Sequence, residues 1–223
     1  MRGGSGAGRP VASLMRVYQR VVPVAVRRLI GFDSKGIVSL GLWVTGRRHG
    51  VPRGAVALTY SKTQTALLAT FLALSVAELV AVELLLRALG VAVAVRTPLL
   101  ILDAYGVLIG VTVIAGCVTR PHVVTTDEIR IRYGVFFDLR VPRTRIASVR
   151  RVREYGERGA VRVADGVAVV AVAGQTSILL ELDGPVGVVR PFGRPAEVTR
   201  VRFHADDPDT AIAVLRGEVA AVR

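Results

Sequence analysis

Two apolar runs, residues 66–86 and 98–118, lie on either side of a short polar interruption at residues 87–96. Each supplies about 20 residues, and at a rise of about 1.5 Å per residue that length matches a hydrocarbon core of roughly 30 Å. Backbone polar groups cannot go unpaired in lipid, so the runs are expected to be helices and not strands. The pattern reads as a transmembrane helical hairpin over residues 65–118. A buried helical pair inside a soluble domain is the competing explanation.

The 223 residues leave room for one compact domain beside such a module. A formal charge of +13 together with positive mean hydropathy is an unusual combination. Among the basic residues only Lys35 and Lys62 are lysine, so the arginine excess follows general composition and not every arginine needs a role. Their placement is more informative. Before the first run lie Arg2, Arg9, Arg16, Arg20, Arg27, Arg28, Lys35, Arg47, Arg48, Arg53 and Lys62 against the single acid Asp33, whereas the connecting loop holds only Arg87 and Arg96. Short flanks rich in Lys and Arg stay on the cytoplasmic side, so both termini are expected inside and the loop outside. No cleavable signal peptide is expected, since no apolar core closely follows the Gly-rich residues 1–10. Cys117 is the sole cysteine, which excludes an intrachain disulfide and reads as a small buried helix residue.

Residues 1–64 form a basic cytoplasmic segment. A basic amphipathic helix is expected within 11–30, divided or delayed by Pro23, and suited to an anionic leaflet. Residues 37–45 are β-branched and aromatic, and with 55–60 they suggest a β-hairpin near the membrane. Interfacial anchoring and core packing are both open to Trp43 and Tyr60.

In the first run Ala69, Ala73, Ala77 and Ala81 make a smooth stripe, and in the second Gly106 and Gly110 form a GxxxG. These are the candidate helix-packing faces, within the hairpin or between two protomers. Glu78, Glu83 and Asp103 are costly in a membrane span and are the intramembrane polar candidates. Glu83 has Arg87 at i+4 to pair with. Glu78 and Asp103 fall at similar estimated depth, roughly 20 Å from the inner surface. Sharing a proton, coordinating a cation, and hydrogen bonding across helices as neutral acids all fit them.

From Thr119 the pattern changes to a domain over 119–223. Ile129, Ile131 and Tyr133 alternate with Arg130 and Arg132, so the arginines are expected on a wet face. Further strands are expected at 136–141, 145–152, 160–164, 167–172, 177–182 and 197–204, with a hairpin turn at Asp165-Gly166. Asp207 and Pro208 supply an N-cap and first-turn proline for a closing helix with Ala211, Leu215 and Val219 on one stripe. The fold class is therefore an α+β membrane protein: a two-helix hairpin, then a seven-stranded bent antiparallel sheet or partly open barrel capped by a C-terminal helix.

The run VTTDEIRIRYGVFFDLRVPRTRIASVR resembles the opening of the bacterial pleckstrin-homology-like (PH-like) domain of small two-span membrane proteins. The matching positions are Thr126, Asp127, Glu128, Ile129 and Gly134, then Val141, Pro142, Arg145, Ile146 and Val149. The resemblance covers residues 120–223 and implies that fold, in the inner (plasma) membrane of a bacterium. It departs in its wealth of arginine and in the preceding Trp43 segment. Residues 134–138 also lack the basic cluster through which such folds elsewhere bind phosphoinositides.

The dense basic run is instead Arg140, Arg143, Arg145, Arg150, Arg151 and Arg153, which suits an anionic leaflet or acidic partner as well as a solvated strand face. No phosphate loop, HExxH or cysteine pair is present, and His49, His122 and His204 are scattered, so neither metal nor cofactor is expected. Ser177, His204 and Asp206 lack a nucleophile elbow. The expected function is non-enzymatic: the domain meets a membrane protein, a second copy or the leaflet surface. The alternative is an oligomer passing protons or cations through Glu78 and Asp103. Nucleic acid is not an expected partner, since the charge also follows from membrane orientation.

Overall fold

The computed structural model describes residues 35–190 and 193–217. The amphipathic helix expected within 11–30, and Val219 of the terminal stripe, lie outside them. Helix α1 (Lys35–Val44) is followed by strand β1 (Val56–Leu58) and two 27-residue helices, α2 (Lys62–Ala88) and α3 (Val93–Thr119). Strands β2 (His122–Val124), β3 (Glu128–Tyr133) and β4 (Phe137–Pro142) come next. After a short 3-10 turn at Arg143–Arg145 come β5 (Ile146–Glu154), β6 (Val161–Ala164), β7 (Val167–Val170), β8 (Thr176–Val189) and β9 (Pro195–Phe203). Helix α4 (Pro208–Arg216) closes the described chain.

Two open sheets result, one in the order β1-β2-β3-β4 and one in the order β5-β8-β9-β7-β6. The expectation of seven antiparallel strands is corrected in two ways. There are nine strands among the described residues, and β7 runs parallel to β9, pairing Val167 with Arg200 and Val170 with Phe203. Residues 37–45 are also corrected, from strand to helix: Ser39 is fully buried and the position of Gly36 abuts Thr112 of α3, so tertiary packing overrides β-branched composition. Residues 56–58 pair instead with β2, in the register Val56 to Val124 and Leu58 to His122. The reason is geometric. Two antiparallel helices of equal length return the chain to its starting level, so the strands at their feet meet, and α2–α3 is in effect the long loop of a β-hairpin.

The core takes the inward faces of both sheets, including Ile129, Ile131, Leu139 and Val141 from the first and Ile178, Leu180, Val201 and Phe203 from the second. Asp165 and Gly166, at φ of 52° and 70°, form the expected tight turn between β6 and β7. Asp207 caps α4 by accepting from the Thr210 backbone N–H at 3.1 Å, and Ala211, Val214 and Leu215 bury its inner face.

The long helices do not join this core. Helix α2 has no buried residue, and Leu67, Phe71, Leu74, Ile101 and Leu102 are each at least 60% exposed. Only the last turns of α3 are covered, at Thr112, Ile114, Ala115, Gly116, Cys117 and Thr119. Both helices are long and apolar enough to cross a membrane.

Candidate functional site

The joint between the helices and the first sheet is built from residues that sequence periodicity treats as unremarkable. Because both helix feet run into paired strands, Tyr60 and His122 face each other with ring centroids 4.5 Å apart. Tyr60 is 1% exposed, which settles it as core and not an interfacial anchor, while Trp43 is 44% exposed. The Tyr60 hydroxyl accepts from the Gly134 backbone N–H at 2.7 Å, and burial pushes its pKa well up. Gly134 sits at φ of 50° in the turn after β3, so close to Cys117 that a Cβ there would lie 3.3 Å from Sγ.

His122 is fully buried. Its Nε2 donates to the His204 carbonyl at 2.9 Å and its Nδ1 accepts from the Arg132 backbone N–H at 3.0 Å. Those two bonds fix one neutral tautomer, and burial pushes the pKa down to about 3. The ring also meets Phe203 edge-on at 5.1 Å, so one imidazole ties β2, β3 and β9 together.

Arg132 corrects the wet-face expectation: it is only 2% exposed. The loop after α1 folds over it, and its guanidinium donates to the carbonyls of His49 at 2.8 Å and Gly50 at 3.1 Å. That loop is tied in turn to the end of α3 by the His49 backbone N–H, which donates to the Thr119 carbonyl at 2.7 Å. Burial and the neighbouring Arg130 and Arg120 lower the Arg132 pKa. Asp138 offsets part of this charge by pairing with Arg130 through both carboxylate oxygens.

The basic run behaves as a set of internal fasteners. Arg143 donates to the Val214 and Leu215 carbonyls at the end of α4, at 3.2 and 2.8 Å, and Arg145 to the Pro185 carbonyl at 3.0 Å. Arg140 pairs with Glu128 at 3.7 Å, Arg150 with Glu181, and Arg151 with Asp209 at 2.6 Å. Arg153 makes no such contact among the described residues and is exposed.

Within the spans, Glu83 takes both loop arginines, Arg87 at 2.7 Å and Arg96 at 3.6 Å. Glu78 and Asp103 line one cleft of about 350 Å³ between α2 and α3, together with Ser75, Gly106 and Gly110. Neither acid has a hydrogen bond or ion pair among the described residues. Gly110 is where the helices close up, a Cβ there falling 2.8 Å from Leu72 Cδ1; at Gly106 it would meet nothing. The stripe Ala69, Ala73, Ala77 and Ala81 is exposed throughout.

Ser177 Oγ accepts from the Ala205 backbone N–H at 2.9 Å and donates to its carbonyl at 3.3 Å, so it fastens β8 to the end of β9. Asp206 Oδ1 accepts from the Lys62 backbone N–H at 3.2 Å, capping α2 from far along the chain. Among the described residues no group of His, Cys, Asp and Glu is placed to hold a metal ion. No protein-family model, curated protein or solved structure matches this chain.

Proposed function

We propose that this is a non-enzymatic integral membrane protein of the bacterial inner membrane, whose hairpin holds a PH-like domain rigidly against the cytoplasmic leaflet for contact with another membrane protein, a second copy or the membrane surface. The observation that carries the reading is the long apolar pair, left uncovered among the described residues except at the last turns of α3 and rooted at both feet in one sheet. So large an uncovered apolar surface is expected to face lipid or partner helices. Charge supports the direction. Arg47, Arg48, Lys62, Arg120, Arg130 and Arg132 gather around the feet, whereas the far loop has Arg87 and Arg96 both on Glu83. The PH-like assignment is supported by the element order, strands in two sheets followed by one helix, and by two of the matching positions: the Asp127 carbonyl accepts from the Arg143 backbone N–H at 2.8 Å, and Pro142 leads into the short 3-10 turn. Cross-linking of the full-length protein in its membrane is expected to recover a membrane partner or a second copy. Recovery of neither would end the protein-partner part of the reading and leave only the membrane surface as the domain's contact.

The second reading, proton or cation passage, is favoured by Glu78 and Asp103 sharing one cleft. The double substitution Glu78→Gln, Asp103→Asn decides between them in reconstituted vesicles. Under the anchor reading ion flux is the same with and without the carboxylates. A flux that depends on them would establish the transport reading instead.

A further inference from the structure

At the foot of the hairpin lies a second cleft, of about 620 Å³, between the end of α1, the first turns of α2 and the last turn of α3. Its walls divide by chemistry. Arg47, Arg48 and Lys62 supply positive charge, while Trp43 at the end of α1, Ala66 and Ala69 in the first turns of α2 and Val118 at the foot of α3 supply apolar surface. Neither arginine has a salt bridge or hydrogen bond to another described side chain. The one acid in the lining, Asp206, has an oxygen engaged by the Lys62 backbone N–H, and three cations outweigh it. Thr65 Oγ1 and Asp206 Oδ2, in the same wall, have no partner among the described residues.

A cleft that joins three cations to an apolar lining from three helices matches a molecule with an anionic head and a hydrocarbon tail. We infer that it binds an anionic phospholipid of the inner leaflet, its phosphate held among Arg47, Arg48 and Lys62 and one acyl chain lying along Trp43, Ala69 and Val118. The inference rests on the membrane placement proposed above and adds the ligand class. The site is separate from the β3–β4 turn, where a PH-like fold would carry a headgroup loop, and it is assembled only because the α1 loop is pinned against α3. A basic residue near an anionic leaflet contributes about 1 kcal/mol, so three together favour anionic over zwitterionic lipid by about a hundredfold.

Trp43 is the only tryptophan in the chain and serves as the reporter. The full-length protein is reconstituted in zwitterionic vesicles containing, as a minor component, either brominated phosphatidylglycerol or brominated phosphatidylcholine. The inference expects Trp43 fluorescence to be quenched severalfold more by the anionic quencher. The preference should be lost in Arg47→Gln, Arg48→Gln, Lys62→Gln and kept in Arg47→Lys, Arg48→Lys and in the remote control Arg153→Gln, Arg158→Gln. Circular dichroism confirms that each variant is folded, and the lysine variant keeps the test decisive if the glutamine one is not. Equal quenching by the two lipids, or loss of the preference in the remote control, would overturn the site while leaving the membrane placement intact. Quenching by neither lipid would overturn both.

Discussion

Arg132→Met is expected to destabilise the protein by about 2 kcal/mol, since hydrogen bonds from a charged donor contribute about 1.5–3 kcal/mol and the freed carbonyls, half-buried at His49 and exposed at Gly50, regain water. Two carbonyls lose their donor, those of His49 and Gly50, while the methionine stem keeps most of the packing. Removing a buried charge that Arg130 and Arg120 repel gives some of this back, which holds the net effect below the sum. The loss is local first. With the pin gone, the loop after α1 is held mainly by the His49 backbone bond to Thr119, so trypsin should cut after Arg47 and Arg48 much faster than in the parent protein. Denaturant unfolding in detergent and a timed digest check both effects. A variant with parental stability and parental cleavage would remove Arg132 from the joint.

Acid should weaken the fold through His122. In the unfolded chain this imidazole takes a proton near pH 6.5, whereas in the folded protein burial delays protonation to about 3. The folded-state pKa is depressed, so the stabilisation is complete above pH 6.5 and is lost as pH falls through the window from 6.5 to about 3. Across that window the unfolded chain holds the extra proton, and the unfolding equilibrium shifts by up to about tenfold per pH unit from this residue alone. His49 and His204, whose pKa values burial also lowers, add slopes of the same sign. The His122→Gln variant is therefore expected to be less stable at neutral pH but to show a shallower dependence between pH 5 and 6.5, above the range where carboxylates titrate. Equal slopes in the two proteins would show that His122 is not held neutral.

Local patterns in the sequence reach far into the domain. Alternation places Ile129, Ile131 and Phe203 inward, Asp165-Gly166 marks its turn, and Asp207-Pro208 marks the start of α4, because each signal is written within a few neighbouring residues. What alternation misses lies with contacts made from far along the chain. Arg132 occupies an outward position on β3, and only the arrival of residues 49 and 50, more than eighty positions earlier, turns that face into an interior. The expected hairpin of residues 37–45 with 55–60 fails for the same reason, since the helix at residues 35–44 and the pairing of β1 with β2 are set by where α2 and α3 deliver the chain. For the candidate sites the outcome is mixed. Helical rise alone places Glu78 and Asp103 at one depth, and they line one cleft. The basic run from Arg140 gives no hint that Arg143 reaches across to the carbonyls of α4, and Arg47-Arg48 gains meaning only beside Lys62 and Trp43.

The central claim is a membrane-crossing hairpin with its far loop outside and the domain inside, and cysteine accessibility tests it directly. In a Cys117→Ala background, Ala92→Cys in the α2–α3 loop and Arg153→Cys on β5 are treated with a membrane-impermeant maleimide in intact spheroplasts and again after lysis. The account predicts that the loop position is labelled in both conditions and the domain position only after lysis. Labelling of both positions in intact cells, or of neither until lysis, would contradict it.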